Sequence, residues 1–268
     1  MTTEAVAAEA PILLRRDGGV AVLTLNRPQA ANSIDAPLAR AFRDAMAGLA
    51  GDKSVRALLL QGVGRMFCAG GDLASFAREG GGAARYVEAL IADLHAGLEQ
   101  LFDFHAPVVA AVHGAAAGAG LGLALAADIV VAGEGARFVM AYTRSGLTPD
   151  GGTSWALPRV VGLRRALELT FLNPTLSAAE ALREGLITEV VDDKAVAGRA
   201  ANLAQELAAG PTGAYAAARR LMRESIRPEY AAHLRREAEG IVAAFSSPDG
   251  LEGVRAFQER RPPVFHGA

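Results

Sequence analysis

The chain has little cysteine, few aromatic residues and no surplus of positive charge. Its 268 residues include one cysteine, Cys68, which excludes an intramolecular disulfide and favours a reducing compartment. Lysine and arginine number 27 against 29 acidic residues, so the charge balance points neither to nucleic acid nor to an anionic membrane. The first residues carry two glutamates and no basic segment, so we expect no signal peptide and a cytoplasmic protein.

One long uncharged run has the length of a membrane span. Residues 108–127 contain no formal charge, but they include four glycines and a histidine and little leucine. A buried strand, a glycine-rich turn and a buried helix fit this composition better than a span. Hydrophobic residues make up 51% of the chain, which is enough for a sizeable core.

Strand and helix patterns alternate through the first two thirds of the chain. Short apolar, β-branched runs predict strands at residues 20–25, 56–60, 107–112 and 128–132. Helical patterns lie between or after them at 37–49, with Asp35 as N-cap, at 83–104 and at 162–172. Helices alone follow after about residue 192. We therefore predict an α/β core at 12–192, a flexible N-terminus at 1–11 and a helical region at 193–268.

Several common catalytic motifs are missing. The chain has no P-loop and no G-x-S-x-G elbow, and its dinucleotide-like glycine pattern fails at Leu123. Its five histidines (95, 105, 113, 233 and 266) lack the spacing of metal ligands, so we predict no metal site.

Two glycine-rich loops follow buried strands. The first reads RMFCAGGDL (65–73) and the second HGAAAGAGL (113–121). Small residues let a ligand approach the main chain, and tight turns leave N–H groups free. Two such groups aimed at one point can hold a carbonyl oxygen that becomes negative, and the start of a helix adds positive potential. The alternative is that the glycines serve packing alone.

A third loop, SGLTPDGGTSW (145–155), carries a single carboxylate, Asp150. An aspartate between proline and two glycines is a normal turn or helix-capping residue. It is also a candidate acid–base group, because the apolar neighbours Leu147, Pro149 and Trp155 would raise its pKa. The residues of this loop leave both possibilities open.

Taken together, these motifs resemble the crotonase superfamily, the enoyl-CoA hydratase/isomerase family. The resemblance covers about residues 12–265 and rests on LNRP (25–28), FCAGGD (67–72), PVVAAVHG (107–114), GAG (118–120), ADI (127–129), GLTPDGGT (146–153), LSAAEA (176–181) and GLI (185–187). It implies a spiral of ββα units with C-terminal helices that assemble homotrimers, often paired into hexamers.

The resemblance also implies an acyl-CoA substrate whose thioester oxygen is held by the N–H groups of Gly71 and Ala119. Coenzyme A then belongs to the substrate, and no prosthetic group is expected. Positions that match the family's CoA contacts are Arg27, Ala31, Ala69, Gly71 and Leu73, with Arg260 and Arg261 as contacts to a neighbouring subunit's nucleotide.

The chain departs from the hydratases of this family. Their two glutamates fall on Gly122 and Tyr142, so the paired carboxylates that hydration needs are absent. The stretch around Asp150 instead resembles the 1,2-epoxyphenylacetyl-CoA isomerase and enoyl-CoA delta-isomerase branch, in which one acid moves a proton between carbons. The implied activity is isomerisation, in fatty acid or phenylacetate metabolism.

Other interpretations stay open. In the aryl-CoA dehalogenase branch, Asp150 would be a nucleophile and His95 a base, although that branch has tryptophan at Tyr142. Otherwise His95 is expected on the polar face of its helix. A hydratase-like lyase and a catalytically silent acyl-CoA-binding protein are further alternatives. We expect Cys68 to be buried and inert, and Asp72 and Asp128 to brace turns.

Overall fold

This computed structural model describes residues 10–79, 82–224 and 227–265. The predicted flexible N-terminus lies almost wholly outside these ranges, and so does His266. No helix in the described part of the chain is long and apolar enough to cross a membrane.

The larger sheet has the order β1-β2-β3-β4-β6-β9. Its strands are β1 (Ile12–Asp17), β2 (Val20–Leu25), β3 (Ala57–Gly62), β4 (Val108–Val112), β6 (Ile129–Gly133) and β9 (Glu189–Val191). Strands β1 and β2 pair antiparallel, and every other neighbouring pair is parallel. β2 and β4 are buried at every residue, which explains their uninterrupted apolar sequences.

A smaller sheet has the order β5-β7-β8. Its strands are β5 (Ala115–Ala117), β7 (Arg137–Val139) and β8 (Leu176–Ser177). The first glycine-rich loop joins this sheet, because Cys68 forms a parallel bridge with Ala116. These short strands were not predicted, since two or three residues are too few to show an alternating pattern.

Helices pack on both faces of the larger sheet and against one another. They are α1 (Ala36–Leu49), α2 (Leu73–Arg78), α3 (Ala83–Phe102), α4 (Ala119–Ala126), α5 (Thr153–Val161), α6 (Leu163–Leu172), α7 (Ala178–Arg183), α8 (Val196–Ala209), α9 (Thr212–Glu224), α10 (Arg227–Ser246) and α11 (Pro248–Gln258). The main core lies between the sheet and α1, α3 and α4, and α8 closes the other face. As predicted, Asp35 caps α1 by accepting a hydrogen bond from the Leu38 N–H.

The C-terminal helices return to the core. Helix α10 packs along α3 and contributes Ile241 and Phe245 to the main core. Asp128 fixes α9 beside the sheet, because its carboxylate accepts from the Val108 N–H and pairs with Arg219 and Arg223. Asp128 thus braces its turn as expected. The division of the chain at residue 192 remains a prediction.

Candidate active site

The two glycine-rich loops are joined to each other by backbone hydrogen bonds. The Cys68 N–H donates to the Ala115 carbonyl at 3.0 Å, and the Ala117 N–H donates to the Cys68 carbonyl at 3.0 Å. A Cβ on Gly120 would lie less than 3.0 Å from the Cys68 carbonyl oxygen, so the close approach requires glycine there. The loops therefore form one unit at the ends of β3 and β4.

Gly71 and Ala119 line one cavity, each with a free backbone donor. In the part of the chain that the structure describes, neither N–H group donates to another atom. Ala119 is the first residue of α4, where the helix dipole adds positive potential, and it is not among the residues with positive φ. The geometry therefore suits the stabilisation of an oxygen that acquires negative charge.

An ion-pair network braces the first loop. The Arg27 guanidinium lies 2.9 Å from Asp35 and 3.0 Å from Asp72, and it donates to the Ser33 carbonyl. Asp72 also caps α2 through the Ser75 N–H. Burial acts to raise the pKa of Asp72, but the hydrogen bonds from Ser75 and Arg27 outweigh it and hold the pKa below its usual value.

Most of the predicted CoA-contact residues come together. A second cavity, of about 480 Å³, is lined in part by Arg27, Ala69, Gly71 and Leu73. Of these four residues, Ala69, Gly71 and Leu73 also line the cavity that contains Ala119. Ala31 is not among the residues that line the second cavity, but its carbonyl accepts from the N–H of Ala69, which does line it. Because two carboxylates already engage the Arg27 guanidinium, its contact with a phosphate stays a prediction.

Arg260 and Arg261 near the C-terminus are not among the residues that line these two cavities. Arg261 pairs with Glu252 and Glu259 beside α11. Arg260 next to it has a positive φ of 53°. Their contact with a neighbouring subunit's nucleotide stays a prediction.

The first cavity has a volume of about 90 Å³ and mainly apolar walls. Helix α3 supplies Val87, Leu90, Ile91 and Leu94, and α10 supplies Ile241 and Phe245. The polar side chains that line it are those of Asp150, Tyr142 and Ser145. An apolar acyl group with one reactive centre suits such a wall.

Asp150 is buried beside this cavity, with 8% of its surface exposed. The Tyr142 hydroxyl donates to Oδ1 of Asp150 at 2.6 Å, and the backbone N–H of Asp150 also forms a hydrogen bond with the carboxylate. Burial raises the pKa of Asp150 from 3.8 to about 6, and the hydrogen bond from Tyr142 limits the rise. A carboxylate with this pKa can take up and return a proton near neutral pH.

The Asp150 side chain does not cap α5. The N-cap residue is Gly152, and the cap is provided by Glu237 of α10, which accepts from the Gly152 N–H at 2.7 Å and the Ser154 N–H at 3.0 Å. Of the two possibilities left open by the sequence, helix capping by this side chain is therefore wrong. Of the predicted apolar neighbours of Asp150, Leu147 lines the cavity. Trp155 is not among the residues that line it and packs against Phe102.

Glu237 is the buried acid that sequence reasoning missed. It is 5% exposed, and burial raises its pKa to about 7. The Ser154 hydroxyl donates to it at 2.5 Å and also lies 2.6 Å from Nε2 of His233. No local signal marks this glutamate, because it stands in a charged stretch that looks like a solvent-facing helix.

The sequence predicts that His95 lies on the polar face of its helix. This prediction is wrong. His95 is 7% exposed, because α3 is covered by both α1 and α10. Burial lowers its pKa to about 4, and its Nε2 has no hydrogen-bond partner among the described residues. Its neighbour Leu94, rather than His95 itself, lines the cavity.

Cys68 is buried as expected, and burial raises the pKa of its thiol to about 12, which makes it inert. Within the described ranges, no group of three or more His, Cys, Asp or Glu side chains could hold a metal ion.

Comparison with known proteins decides the family. Residues 15–268 match the family model of enoyl-CoA hydratase/isomerase. The chain belongs to this family. A probable enoyl-CoA hydratase of Rhodobacter capsulatus is 40% identical over 249 residues, covering 93% of this chain and 95% of that protein. The 1,2-epoxyphenylacetyl-CoA isomerase of Escherichia coli is 38% identical over 257 residues, covering 96% and 98%.

Solved structures confirm the predicted crotonase fold of this enoyl-CoA hydratase/isomerase family member. The crystal structure of an enoyl-CoA hydratase from Mycobacterium avium subsp. paratuberculosis superposes with a TM-score of 0.87. It is 34% identical and covers 96% of this chain and 99% of that one. Because the relatives carry names of different reactions, the choice between reactions depends on the site.

Proposed function

We propose that this acyl-CoA enzyme is an isomerase that uses Asp150 as its acid–base group. It shifts a double bond along the acyl chain, or rearranges a ring epoxide, through a thioester enolate. One observation carries the proposal: a buried carboxylate with a raised pKa lies in the same cavity as two free backbone donors. Isomerisation needs one group that both removes and returns a proton, and the site offers one.

The proposed reaction begins with a β,γ-unsaturated thioester in the cavity. Oδ2 of Asp150 removes a proton from C2, and the electron pair moves into the carbonyl, whose oxygen becomes negative. The N–H groups of Gly71 and Ala119 hold that oxygen. The protonated carboxyl then delivers its proton to C4, the enolate collapses, and the double bond stands between C2 and C3.

Among the described residues, Asp150 is the one acid that lines the cavity, which favours isomerisation over hydration. Position 122 is glycine, and Tyr142 presents a hydroxyl that is already committed to Asp150. Glu237, a second buried acid nearby, is committed to the backbone of α5. Addition of water would need a second acid–base group in reach of the double bond.

The substrate is proposed to carry an apolar acyl group. The cavity walls from α3 and α10 are aliphatic and aromatic, with Phe76 and Phe245 packed edge to face at 5.1 Å. The similarity to a 1,2-epoxyphenylacetyl-CoA isomerase supports a ring substrate. Dehalogenation with His95 as base receives no such support, since His95 does not line the cavity.

A homo-oligomer, trimer or hexamer, is part of the proposal. Helix α6 exposes Leu163, Phe171 and Leu172 at 66%, 67% and 73% of their surface. Exposed apolar side chains clustered on one helix are typical of a contact surface between subunits.

The test is conversion of a 3-enoyl-CoA to the conjugated 2-enoyl-CoA by the purified protein. We expect turnover that Asp150→Asn lowers by orders of magnitude, with acyl-CoA affinity nearly unchanged. Asp17→Asn, at an exposed carboxylate on β1, is the matched control. Wild-type turnover in Asp150→Asn, or hydration of crotonyl-CoA as the main activity, would overturn the proposal.

A further inference from the structure

We propose that Tyr142 is the positioning residue of Asp150. Its phenol holds Oδ1, stabilises the charged carboxylate and leaves Oδ2 to face the substrate. This inference rests on the proposed function, because it assigns a role to the partner of the proposed acid–base group.

The two side chains form a short, buried pair. The Tyr142 hydroxyl lies 2.6 Å from Oδ1 of Asp150 and 3.1 Å from the Asp150 backbone carbonyl. Both residues are 8% exposed, and both line the cavity. A single hydroxyl proton serves the shorter contact, which is the length of a charge-assisted O–H···O⁻ bond.

The backbone before Tyr142 is held in a costly conformation. Ala141 has a φ of 64°, in the left-handed region that residues other than glycine and asparagine rarely adopt. Such strain persists where the surrounding structure requires it, and here it turns the chain between the end of β7 and the 3₁₀ turn Thr143–Ser145. The turn directs the Tyr142 side chain toward Asp150.

The tyrosine ring also rests against the second glycine-rich loop. A Cβ on Gly118 would lie 3.7 Å from Cζ of Tyr142, and the Gly118 N–H donates to the Val139 carbonyl at 3.1 Å. Tyr142 therefore links the carboxylate to the loop that presents the Ala119 N–H. Proton transfer depends on the distance between the Asp150 carboxylate and the Ala119 N–H, and the tyrosine ring helps to fix that distance.

In the Tyr142–Asp150 pair, the phenol is the hydrogen-bond donor and the carboxylate is the acceptor. Burial and the charge of Asp150 raise the pKa of Tyr142 well above its usual value, so the phenol stays a neutral donor. Its hydrogen bond favours the ionised form of Asp150 and opposes the effect of burial on that pKa. Two titratable groups of α10 also lie near this loop. Burial raises the pKa of Glu237, and the charge of Asp150 adds to that rise, while Nε2 of His233 lies 2.6 Å from the Ser154 hydroxyl.

The experiment compares Tyr142→Phe with Tyr86→Phe. Tyr86 makes a matched control, because its hydroxyl accepts from the Ala36 N–H at 3.1 Å and makes no contact with Asp150. For Tyr142→Phe we expect kcat to fall by about 10- to 100-fold, the range for a lost hydrogen bond to a charged group, with KM nearly unchanged. The acid limb of kcat/KM should move to higher pH, because the carboxylate loses its donor. Tyr86→Phe should alter neither.

Two further measurements separate a failure of the Tyr142 role from a failure of the proposed function. The infrared carboxyl band that Asp150→Asn removes can be titrated without any assay, and its pKa should rise in Tyr142→Phe. 3-Fluorotyrosine is a stronger hydrogen-bond donor than tyrosine. In a Tyr86→Phe background, its incorporation at the remaining tyrosines should shift the acid limb of kcat/KM to lower pH. This measurement does not require a stable Tyr142→Phe variant.

An unchanged Asp150 titration and unchanged kcat in Tyr142→Phe overturn the role of Tyr142. If Asp150→Asn still abolishes turnover in that case, the proposed function stands. If the wild-type protein has no isomerase activity but the Asp150 titration shifts as expected, the proposed function fails and the pairing remains.

Discussion

The carbonyl oxygen of Gly151 occupies the space beside Gly122. A Cβ on Gly122 would lie less than 3.0 Å from that oxygen, a separation that real Cβ atoms essentially never show. Position 122 matches the place where the hydratases of this family carry one of their two glutamates. The loop that presents Asp150 therefore packs where that glutamate would begin, so the two arrangements exclude each other in this backbone.

The first prediction concerns this close approach. Gly122→Ala should lower the free energy of unfolding by about 1–3 kcal/mol or more, because the added methyl group overpacks a backbone contact. Gly48→Ala is the matched control: it lies in α1 with nothing within 4 Å of the added Cβ, and it should gain up to about 1 kcal/mol from helix propensity. Denaturant unfolding measures both. Equal stability of the two variants would show that the loop moves freely.

The second prediction concerns the pH dependence of turnover. Asp150 acts as a base in its deprotonated form, so kcat/KM should fall as the pH drops through about 6. His95, whose pKa is lowered to about 4, titrates below this range. The measurement is a pH–rate profile with a 3-enoyl-CoA. A profile with no limb near pH 6 would contradict the raised pKa of Asp150.

The third prediction concerns stability rather than activity. The folded-state pKa of Asp150, about 6, exceeds its ordinary value of 3.8, so the folded protein binds this proton more tightly than the unfolded chain. Its contribution to stability is therefore full below about pH 4 and is lost as the pH rises through about 6. The loss amounts to roughly 3 kcal/mol at most.

Asp150→Asn removes that dependence while keeping an acceptor for Tyr142. The variant should be more stable than the wild type at about pH 8, and the difference should shrink toward pH 4. Denaturant unfolding at several pH values measures it, with Asp17→Asn as the exposed control. A difference that does not vary with pH would argue against a raised pKa.

The fourth prediction concerns assembly. Replacing Leu163 and Phe171 by serine should reduce the mass measured by light scattering, because both side chains are exposed on α6. Leu14→Ser, at a residue 43% exposed on the edge strand β1, is the control and should leave the mass unchanged. A monomeric wild-type protein, or a double variant of unchanged mass, would contradict the proposed subunit contact.

Much of the fold was predictable because its signals are local. The strand Val20–Leu25 and the cap at Asp35 follow from apolar runs and from capping chemistry. The same holds for the two glycine-rich loops, since their position after buried strands places them at one edge of a parallel sheet. The strands of the smaller sheet escaped prediction because they are held by pairing between distant segments.

The candidate site was only partly predictable. Asp150 was found as an acid, and Tyr142 was noted only as a position that lacks one. Its role as a donor depends on a bend at Ala141 that no sequence pattern shows. Glu237 lies 85 residues from the Gly152 N–H that it caps, so only the packing of α10 against the core reveals it.

The central claim is that Asp150 moves a proton on a thioester held by Gly71 and Ala119. It is tested most directly by a crystal structure of Asp150→Asn with a bound 3-enoyl-CoA. We expect the thioester oxygen at about 3 Å from both N–H groups, with the substituted side chain at position 150 between C2 and C4 of the acyl chain. A complex in which that side chain points away from the acyl chain, or in which the oxygen lies outside reach of both donors, would contradict the account.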